Sequence, residues 1–212
     1  MKNKKLNNKK RIILFIGILI IIIVIVVLII VFNNQNKKEK IEIVNYKEAE
    51  NLYQTSDNKC TDITDENDSL LLYLIFSELD KDNKLSDNIS YDEYENTAQA
   101  ILKTDDIPTK INNYLYDGYS YTLNDNKITR EKTECEEKYV SKIYGYSNNN
   151  DTLSLYISSG YVKEGKVYNL SGVEIGGYDK VTINKTLDSG TIKIYNYKNE
   201  GGNYILDNIS SN

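Results

Sequence analysis

The chain has 212 residues, with 26 Lys and Arg against 31 Asp and Glu, two Cys and no His. The lack of His removes the commonest general base and the commonest metal ligand, and two Cys cannot form a four-cysteine zinc site. We therefore expect no metal, no cofactor and no catalysis that depends on histidine.

The most apolar part of the chain is residues 12–32, IILFIGILIIIIVIVVLIIVF, which contains no charged or polar side chain. A helix of this length would measure about 31 Å, close to the ~30 Å hydrocarbon core of a bilayer. In lipid a single span must be helical, because its backbone groups need partners within the segment. The sequence therefore predicts a transmembrane helix over 12–32, in contact with the lipid bilayer.

Charge is distributed unequally about this segment. Six cationic residues lie in 1–11, three Lys lie in the polar spacer 33–40, and every acidic residue follows the apolar run. The positive-inside rule then predicts a single-pass protein of the cell membrane with a basic cytoplasmic tail, 1–11, and an extracytoplasmic domain, 41–212. The opposite orientation and a cleaved signal peptide are the alternatives. A signal peptide has a shorter apolar region, of about 7–15 residues, that ends in small residues.

The predicted extracytoplasmic part is acidic. Six of the 26 Lys and Arg precede the apolar run, which leaves 20 cationic against 31 acidic residues and a net charge of −11 beyond it. Such a surface repels a phosphate backbone, so we expect no nucleic-acid partner. The length suits one domain with its own core.

Helical patterns come first in this domain. A capping box predicts a short helix over about 46–55, and an apolar run at 70–79 that follows three acidic residues predicts a buried central helix. A second capping box, Ser90–Glu93, opens a helix that should end near Lys103, ahead of Pro108.

After Pro108 the apolar period changes from 3.6 to 2. Regular alternating segments separated by Gly and Asn turns predict antiparallel hairpins up to the C-terminus. Helices followed by strands are typical of an α+β domain. We therefore predict two or three helices packed on one face of a curved antiparallel sheet.

Tyrosine is unusually abundant, with 19 residues against three Phe and no Trp. Four of them cluster around one turn, and exposed Tyr at this density binds protein or glycan partners. This pattern predicts a binding site for a protein or cell-envelope partner; the alternative is that these rings are core residues of a half-buried sheet. The four residues are Tyr114, Tyr116, Tyr119 and Tyr121.

Residues 79–102 resemble an EF-hand loop followed by its exit helix. Asp82, Ser86 and Glu93 take the first, fifth and twelfth positions of the loop. However, Lys84 stands at the third position, and Asp87 stands at the sixth, where a Gly is wanted. We therefore predict no metal site here, and interpret the segment as an acidic loop that precedes a helix.

The two cysteines, Cys60 and Cys135, both lie in polar, turn-like sequence. In an oxidising compartment they would pair as a disulfide that stabilises the fold by roughly 4 kcal/mol in the chain-entropy model. The alternative is two unpaired thiols. Glu134, Glu136 and Glu137 flank Cys135, and such carboxylates act on sugars when they are paired at a fixed separation. A solvated charge run is the simpler interpretation.

The segments ISYDEYENTAQAIL, CEEKYVSKIYGYSNNNDTLSLYISSGYV and GTIKIYNYKNEGGNYILDNIS resemble single-pass membrane-anchored extracytoplasmic proteins of low-GC Gram-positive (Firmicutes) gut bacteria. That group has no agreed activity, so the resemblance implies a layout and no reaction. The order of elements is also similar to the nuclear transport factor 2-like or cystatin-like fold. This fold carries both enzymes and assembly modules, so it implies no activity either.

These patterns lead to a functional hypothesis: a membrane-anchored extracytoplasmic binding or assembly module, and not an enzyme. One alternative is a bridging subunit of a conjugation or secretion machine, whose layout is similar. A second is a cell-surface glycan-processing enzyme that uses carboxylates. The enzyme would need a concave pocket with two inward carboxylates about 5–10 Å apart; a binding module would present a flat or grooved face with clustered Tyr.

Overall fold

The computed structural model describes residues 49–149 and 151–211, together with positions 25 and 47. Lys47–Asn212 form one compact unit. Strands account for 45% and helices for 24% of the described residues, so this unit is mostly β. The predicted α+β class is wrong, because the strands outnumber the helices and build two sheets where one was expected.

The order of the elements differs from the predicted one, in which helices are followed by strands. In the structure, strands also precede and separate the helices. Residues 49–52 are helical, and short 3-10 turns occupy Thr104–Asp106 and Leu187–Ser189. The helices are α1 (Asn67–Lys81), α2 (Tyr91–Gln99) and α3 (Ile183–Thr186). The strands are β1 (Asp57–Lys59), β2 (Asn88–Ser90), β3 (Tyr114–Tyr116), β4 (Tyr119–Asn124), β5 (Lys127–Lys132), β6 (Lys138–Asn149), β7 (Thr152–Lys163), β8 (Lys166–Asn169), β9 (Glu174–Gly177), β10 (Thr191–Glu200) and β11 (Asn203–Ser211).

Within the described residues, the strands form two antiparallel sheets. The large sheet has the order β1-β6-β7-β10-β11, and β8 pairs with both β7 and β9. The small sheet has the order β2-β5-β4-β3. Residues 133–137 carry the chain from β5 of the small sheet to β6 of the large one. Alternation predicts a strand but not its partner, which is why one sheet was expected.

Helix α1 lies between the two sheets. The Tyr73 ring packs against Tyr139 of the large sheet with centroids 5.0 Å apart, and the Phe76 ring packs against Tyr121 of the small sheet at 4.7 Å. Apolar residues therefore surround the helix on nearly every side, and its residues 70–77 and Leu79 are buried. The predicted buried central helix is present, and the second sheet explains why its apolar pattern is not confined to one face.

Helix α2 begins as its capping box predicts and ends early. The Glu93 backbone N–H donates to Ser90 Oγ at 3.1 Å, which is an N-cap. The helix ends at Gln99, short of the predicted Lys103. The reason is tertiary: the Leu206 N–H of β11 donates to the Ile101 carbonyl at 2.9 Å, which draws this segment onto the edge of the large sheet.

A second, smaller core covers part of the other face of the large sheet. Helix α3 and the 3-10 turn after it pack there on three valines of β6, β7 and β8. Close approach requires glycine at Gly190, where a Cβ atom would lie 2.5 Å from Ser158 Oγ and 2.8 Å from the Ser159 carbonyl oxygen. The buried members of this core are Val140, Val162, Val167, Ile183 and Leu187.

The helices of the described residues include none that is long and apolar enough to cross a membrane. The most apolar of them, α1, has 15 residues and is enclosed by protein. The described helices give no support to the predicted transmembrane helix at 12–32 or to the single-pass anchor. That segment, the tail 1–11 and the spacer 33–40 lie outside the described residues, apart from Ile25.

Candidate functional site

Most of the four tyrosines of the predicted binding site are buried and do not form an exposed surface. Tyr114, Tyr116 and Tyr121 are at most 7% exposed and face α1, where the rings of all three contact Phe76. Tyr119 is half-buried, with the Arg130 guanidinium 4.2 Å from its ring centroid. Three of the four rings are therefore core residues, which is the alternative interpretation of the pattern, because they lie on the face of the small sheet that the central helix covers.

The EF-hand look-alike is occupied by internal contacts. The Asp82 carboxylate accepts a hydrogen bond from Lys84 Nζ at 2.7 Å, and this bond holds the pKa of Asp82 below its ordinary value. Ser86 Oγ donates to the Asn88 carbonyl, and the Glu93 N–H is part of the α2 cap. Among the described residues, no group of three or more His, Cys, Asp or Glu is arranged to hold a metal ion.

Cys60 and Cys135 form a disulfide, with Cα atoms 5.8 Å apart, so this prediction is confirmed. The bond lies at the junction of the two sheets, since Cys60 follows β1 and Cys135 lies between β5 and β6. The Cys60 carbonyl also accepts from the Gly118 N–H of the small sheet at 3.0 Å. Disulfides persist in oxidising compartments, and this one is in keeping with an extracytoplasmic environment.

A cleft of about 540 Å³ opens beside this disulfide, and we name it the disulfide cleft. We name 61–64 and 170–172 its two walls, 135–137 its short side, and Tyr139 of β6 with Tyr161 of β7 its floor. The lining residues are Thr61, Asp62, Ile63, Thr64, Leu115, Cys135, Glu136, Glu137, Tyr139, Tyr161, Leu170, Ser171 and Gly172.

Hydrogen bonds hold the backbone of both walls of the disulfide cleft in place. In the first wall, the Asp62 N–H donates to the Leu115 carbonyl and the Thr64 N–H donates to Ser69 Oγ, each at 3.0 Å. In the second, Asn169 Oδ1 accepts from the Ser171 N–H at 3.1 Å and from the Val173 N–H at 2.9 Å, which closes a tight turn. The cleft is therefore bounded by backbone that is already ordered.

The floor is part of a row of three tyrosines across neighbouring strands. Tyr139 of β6 is paired with Tyr161 of β7, and Tyr161 with Tyr168 of β8. Tyr139 is buried, and its hydroxyl is 2.8 Å from both Tyr53 Oη and Ser159 Oγ. Tyr161 is half-buried and stacks on Tyr168 with centroids 5.3 Å apart. The row therefore passes from the core into the cleft.

Charge in the cleft is negative. Asp62, Glu136 and Glu137 are exposed on its walls, and the lining includes neither Lys nor Arg. Lys163 stands outside the lining, with its Nζ 2.9 Å from Glu137 Oε1 and 4.0 Å from Glu136 Oε2. Burial, and next to it the Glu137 carboxylate, raises the pKa of Tyr161. Asp62 has no ion-pair partner within the described part of the chain.

In the sequence, Glu136 and Glu137 stand out as a charge run or as a possible carboxylate pair, whereas Asp62 and Tyr161 carry no such signal. The lining residues come from five separate stretches of the chain, so no local spacing marks them. The nearest signal was the cysteine pair, because a bond between Cys60 and Cys135 brings Asp62 close to the two glutamates. Tyr161 continues the alternation of the buried β7 residues Leu153, Leu155 and Ile157, and nothing in that pattern marks it as accessible.

Two other cavities are less suited to a ligand. One of about 320 Å³ lies between 50–54, α1 and the β10–β11 hairpin, and one of about 450 Å³ lies beside α2. The latter is lined by polar, charged and small side chains with no aromatic surface, and its Asp82 already pairs with Lys84. The cavity of about 320 Å³ has Tyr197 and Tyr204 in its lining, but it is smaller than the disulfide cleft, and its cation Lys81 pairs with Glu78.

No protein-family model matches this chain, and neither a characterised protein nor a solved structure is significantly similar to it. The functional conclusion therefore depends on the geometry and charge of the disulfide cleft.

Proposed function

We propose that this domain is an extracytoplasmic binding module that takes part of a protein or cell-envelope partner into the disulfide cleft. The observation that carries this proposal is an open, aromatic-floored cavity of about 540 Å³ whose walls are held in place before any ligand arrives. Pre-ordered walls favour binding, because little conformational entropy remains to be lost.

The lining offers the two kinds of contact that a binding site needs. Tyr161, Leu115 and Leu170 supply apolar surface, and the carboxylates with the wall hydroxyls supply polar contacts that orient a ligand. The short side is fixed covalently, because Cys135 is bonded to Cys60 next to the first wall. This combination of apolar surface and polar contacts is the arrangement expected for recognition of a partly apolar, polar-ended group.

The surroundings of the cleft carboxylates also favour binding over catalysis. A glycan hydrolase needs one carboxyl group that is protonated and a second that acts as base or nucleophile. Here Glu137 forms an ion pair with Lys163 at 2.9 Å, and Glu136 is strongly exposed, so neither carboxyl group stands in the enclosed apolar pocket that a general acid occupies. The sequence contains no His to activate a hydroxyl of the walls.

The test is a comparison of Tyr161→Ala with the matched variant Tyr144→Ala, since Tyr144 is 52% exposed and lies outside the cleft. The full-length chain, kept in a mild detergent, is applied to arrays of peptides and of bacterial cell-wall oligosaccharides. We expect that wild type and Tyr144→Ala bind the same peptides or oligosaccharides with equal affinity. Tyr161→Ala should bind these ligands at least about 10-fold more weakly, which is the usual loss for an aromatic anchor.

Circular dichroism must show that both variants keep the wild-type fold. If well-folded Tyr161→Ala binds every feature as wild type does, the cleft is not the binding site and the proposal fails. If no feature on either array is bound by wild type, the proposal fails as well.

A further inference from the structure

We propose that the group taken into the disulfide cleft is a lysine side chain on a basic polypeptide segment. This inference rests on the proposed function, since it names the chemistry of the ligand at the same site. The cleft lining brings three carboxylates, those of Asp62, Glu136 and Glu137, together with apolar side chains. The same lining contains no Lys or Arg.

The charge of the rim selects for a cation. Lys163 neutralises Glu137 most directly, which leaves Asp62 and Glu136 as the carboxylates available to a ligand. The sequence beyond residue 32 carries 31 acidic against 20 cationic residues, so the wider field has the same sign. A cationic ligand is drawn towards such a surface and an anionic one is repelled.

The lining also matches the amphipathic character of a lysine side chain. Ile63, Leu115, Leu170 and the Tyr161 ring add apolar surface to the lining that holds the carboxylates. Lysine covers apolar surface with its methylene stem while its ammonium group stays at the polar rim. An ammonium near a Tyr ring gains a further cation–π attraction.

Other ligands with complementary charge fit less well. A metal ion needs several oxygen ligands at about 2–2.6 Å, and the carboxylates of the described residues do not converge in that way. A sugar ring stacks on the face of an aromatic side chain, and Tyr161 keeps only one face for such a contact, because the other is stacked on Tyr168 at an interplanar angle of 14°. The exposed carboxylates suit a cationic side chain that approaches from solvent.

The experiment measures the affinity of the full-length chain for end-blocked tetralysine by isothermal titration calorimetry. The cleft variant is Asp62→Asn/Glu136→Gln, and its matched control is Asp105→Asn/Glu131→Gln, which removes two exposed carboxylates outside the cleft. We expect about 10-fold weaker binding for the cleft variant, about 3-fold for each carboxylate, as for solvent-exposed ion pairs. The control variant should bind within about 2-fold of wild type, and added salt should weaken binding.

Three further probes separate the possible ligands: Nε-acetylated tetralysine, a glucosamine tetramer and its N-acetylated form. We expect the acetylated peptide to lose binding, because its amide carries no charge. If the acetylated peptide binds as tightly as tetralysine, or the glucosamine tetramer binds more tightly, the lysine inference is wrong. The proposed binding function then stands, provided that Tyr161→Ala abolishes that binding.

Two results would be more damaging. Equal weakening by the cleft and control variants would mean that tetralysine responds only to overall charge, and the lysine inference would be withdrawn. If none of the four probes binds, the lysine inference also fails, and the array comparison with Tyr161→Ala decides the proposed function separately.

Discussion

The hydroxyl groups of Tyr53 and Tyr139 lie 2.8 Å apart, although both side chains are 1% exposed. Tyr139 Oη is also 2.8 Å from Ser159 Oγ, so three hydroxyls form a chain between the segment before β1 and two strands of the large sheet. Buried polar groups are stable only when they are paired, and this chain pairs them. It also fixes the floor of the disulfide cleft, because Tyr139 lines that floor.

We expect Tyr139→Phe to destabilise the domain by about 1–2 kcal/mol, since two buried hydroxyls each lose a hydrogen-bond partner. Urea unfolding followed by circular dichroism measures this change. Tyr144→Phe is the control, because Tyr144 is 52% exposed and should shift stability by less than about 0.5 kcal/mol. An equal effect of the two substitutions would argue against the buried chain.

The disulfide should contribute strongly to stability. Its two cysteines are 75 residues apart, and a cross-link over a loop of that length is worth roughly 4 kcal/mol in the chain-entropy model. We expect Cys60→Ser/Cys135→Ser, or reduction of wild type, to lower the free energy of unfolding by about 2–4 kcal/mol. The double variant should be insensitive to reductant, and a response to reductant in it would mean that another process is being measured.

The ion pairs of Asp207 in β11 should make the free energy of unfolding depend on pH. It forms ion pairs with Lys103 and Lys198, and their hydrogen bonds lower the pKa of Asp207 to about 2. Because this pKa is depressed in the folded state, the stabilisation is complete above about pH 4, near the ordinary Asp pKa, and is lost as pH falls towards 2.

The corresponding variant is Asp207→Asn. At neutral pH it should be less stable than wild type by about 0.5–1 kcal/mol, as for partly exposed pairs. The difference should shrink as pH falls from about 4 and vanish near pH 2. Denaturant unfolding across this range measures it; a difference that persists unchanged at the lowest pH would show that the ion pairs are not its cause.

Two glycines of the large sheet provide a matched pair. At Gly160 of β7, a Cβ atom would lie 2.3 Å from the Tyr168 carbonyl oxygen, whereas at Gly145 of β6 it would meet nothing within 4 Å. We expect Gly160→Ala to cost about 1–3 kcal/mol through forced backbone movement. Gly145→Ala should be near neutral or slightly stabilising, because alanine loses less entropy than glycine in a strand. Thermal unfolding of both variants checks the contrast.

Local patterns predicted the elements that local chemistry decides. The cap at Ser90 depends on a hydrogen bond that its hydroxyl accepts from the N–H three residues further on. The burial of α1 follows from its apolar composition. The pairing of Cys60 with Cys135 followed from having two cysteines in one polar setting. The early end of α2 could not be predicted, since it depends on a hydrogen bond from Leu206, far along the chain.

The tyrosines show where local patterns stop. Tyr116 and Tyr161 both stand on strands with alternating apolar residues, yet Tyr116 is fully buried and Tyr161 lines an open cleft. Alternation places a side chain on one face of a strand. Whether that face meets a helix, another sheet or solvent depends on elements distant in sequence.

The sequence by itself determined the acidic charge, the absence of histidine chemistry, the central helix and the cysteine pair, because each depends on composition or on contacts within a few residues. Only the tertiary structure decided that the strands form two sheets around that helix. It also brought Asp62, Glu136 and Tyr161 to one cleft, because strand pairing between distant segments has no signature in local periodicity.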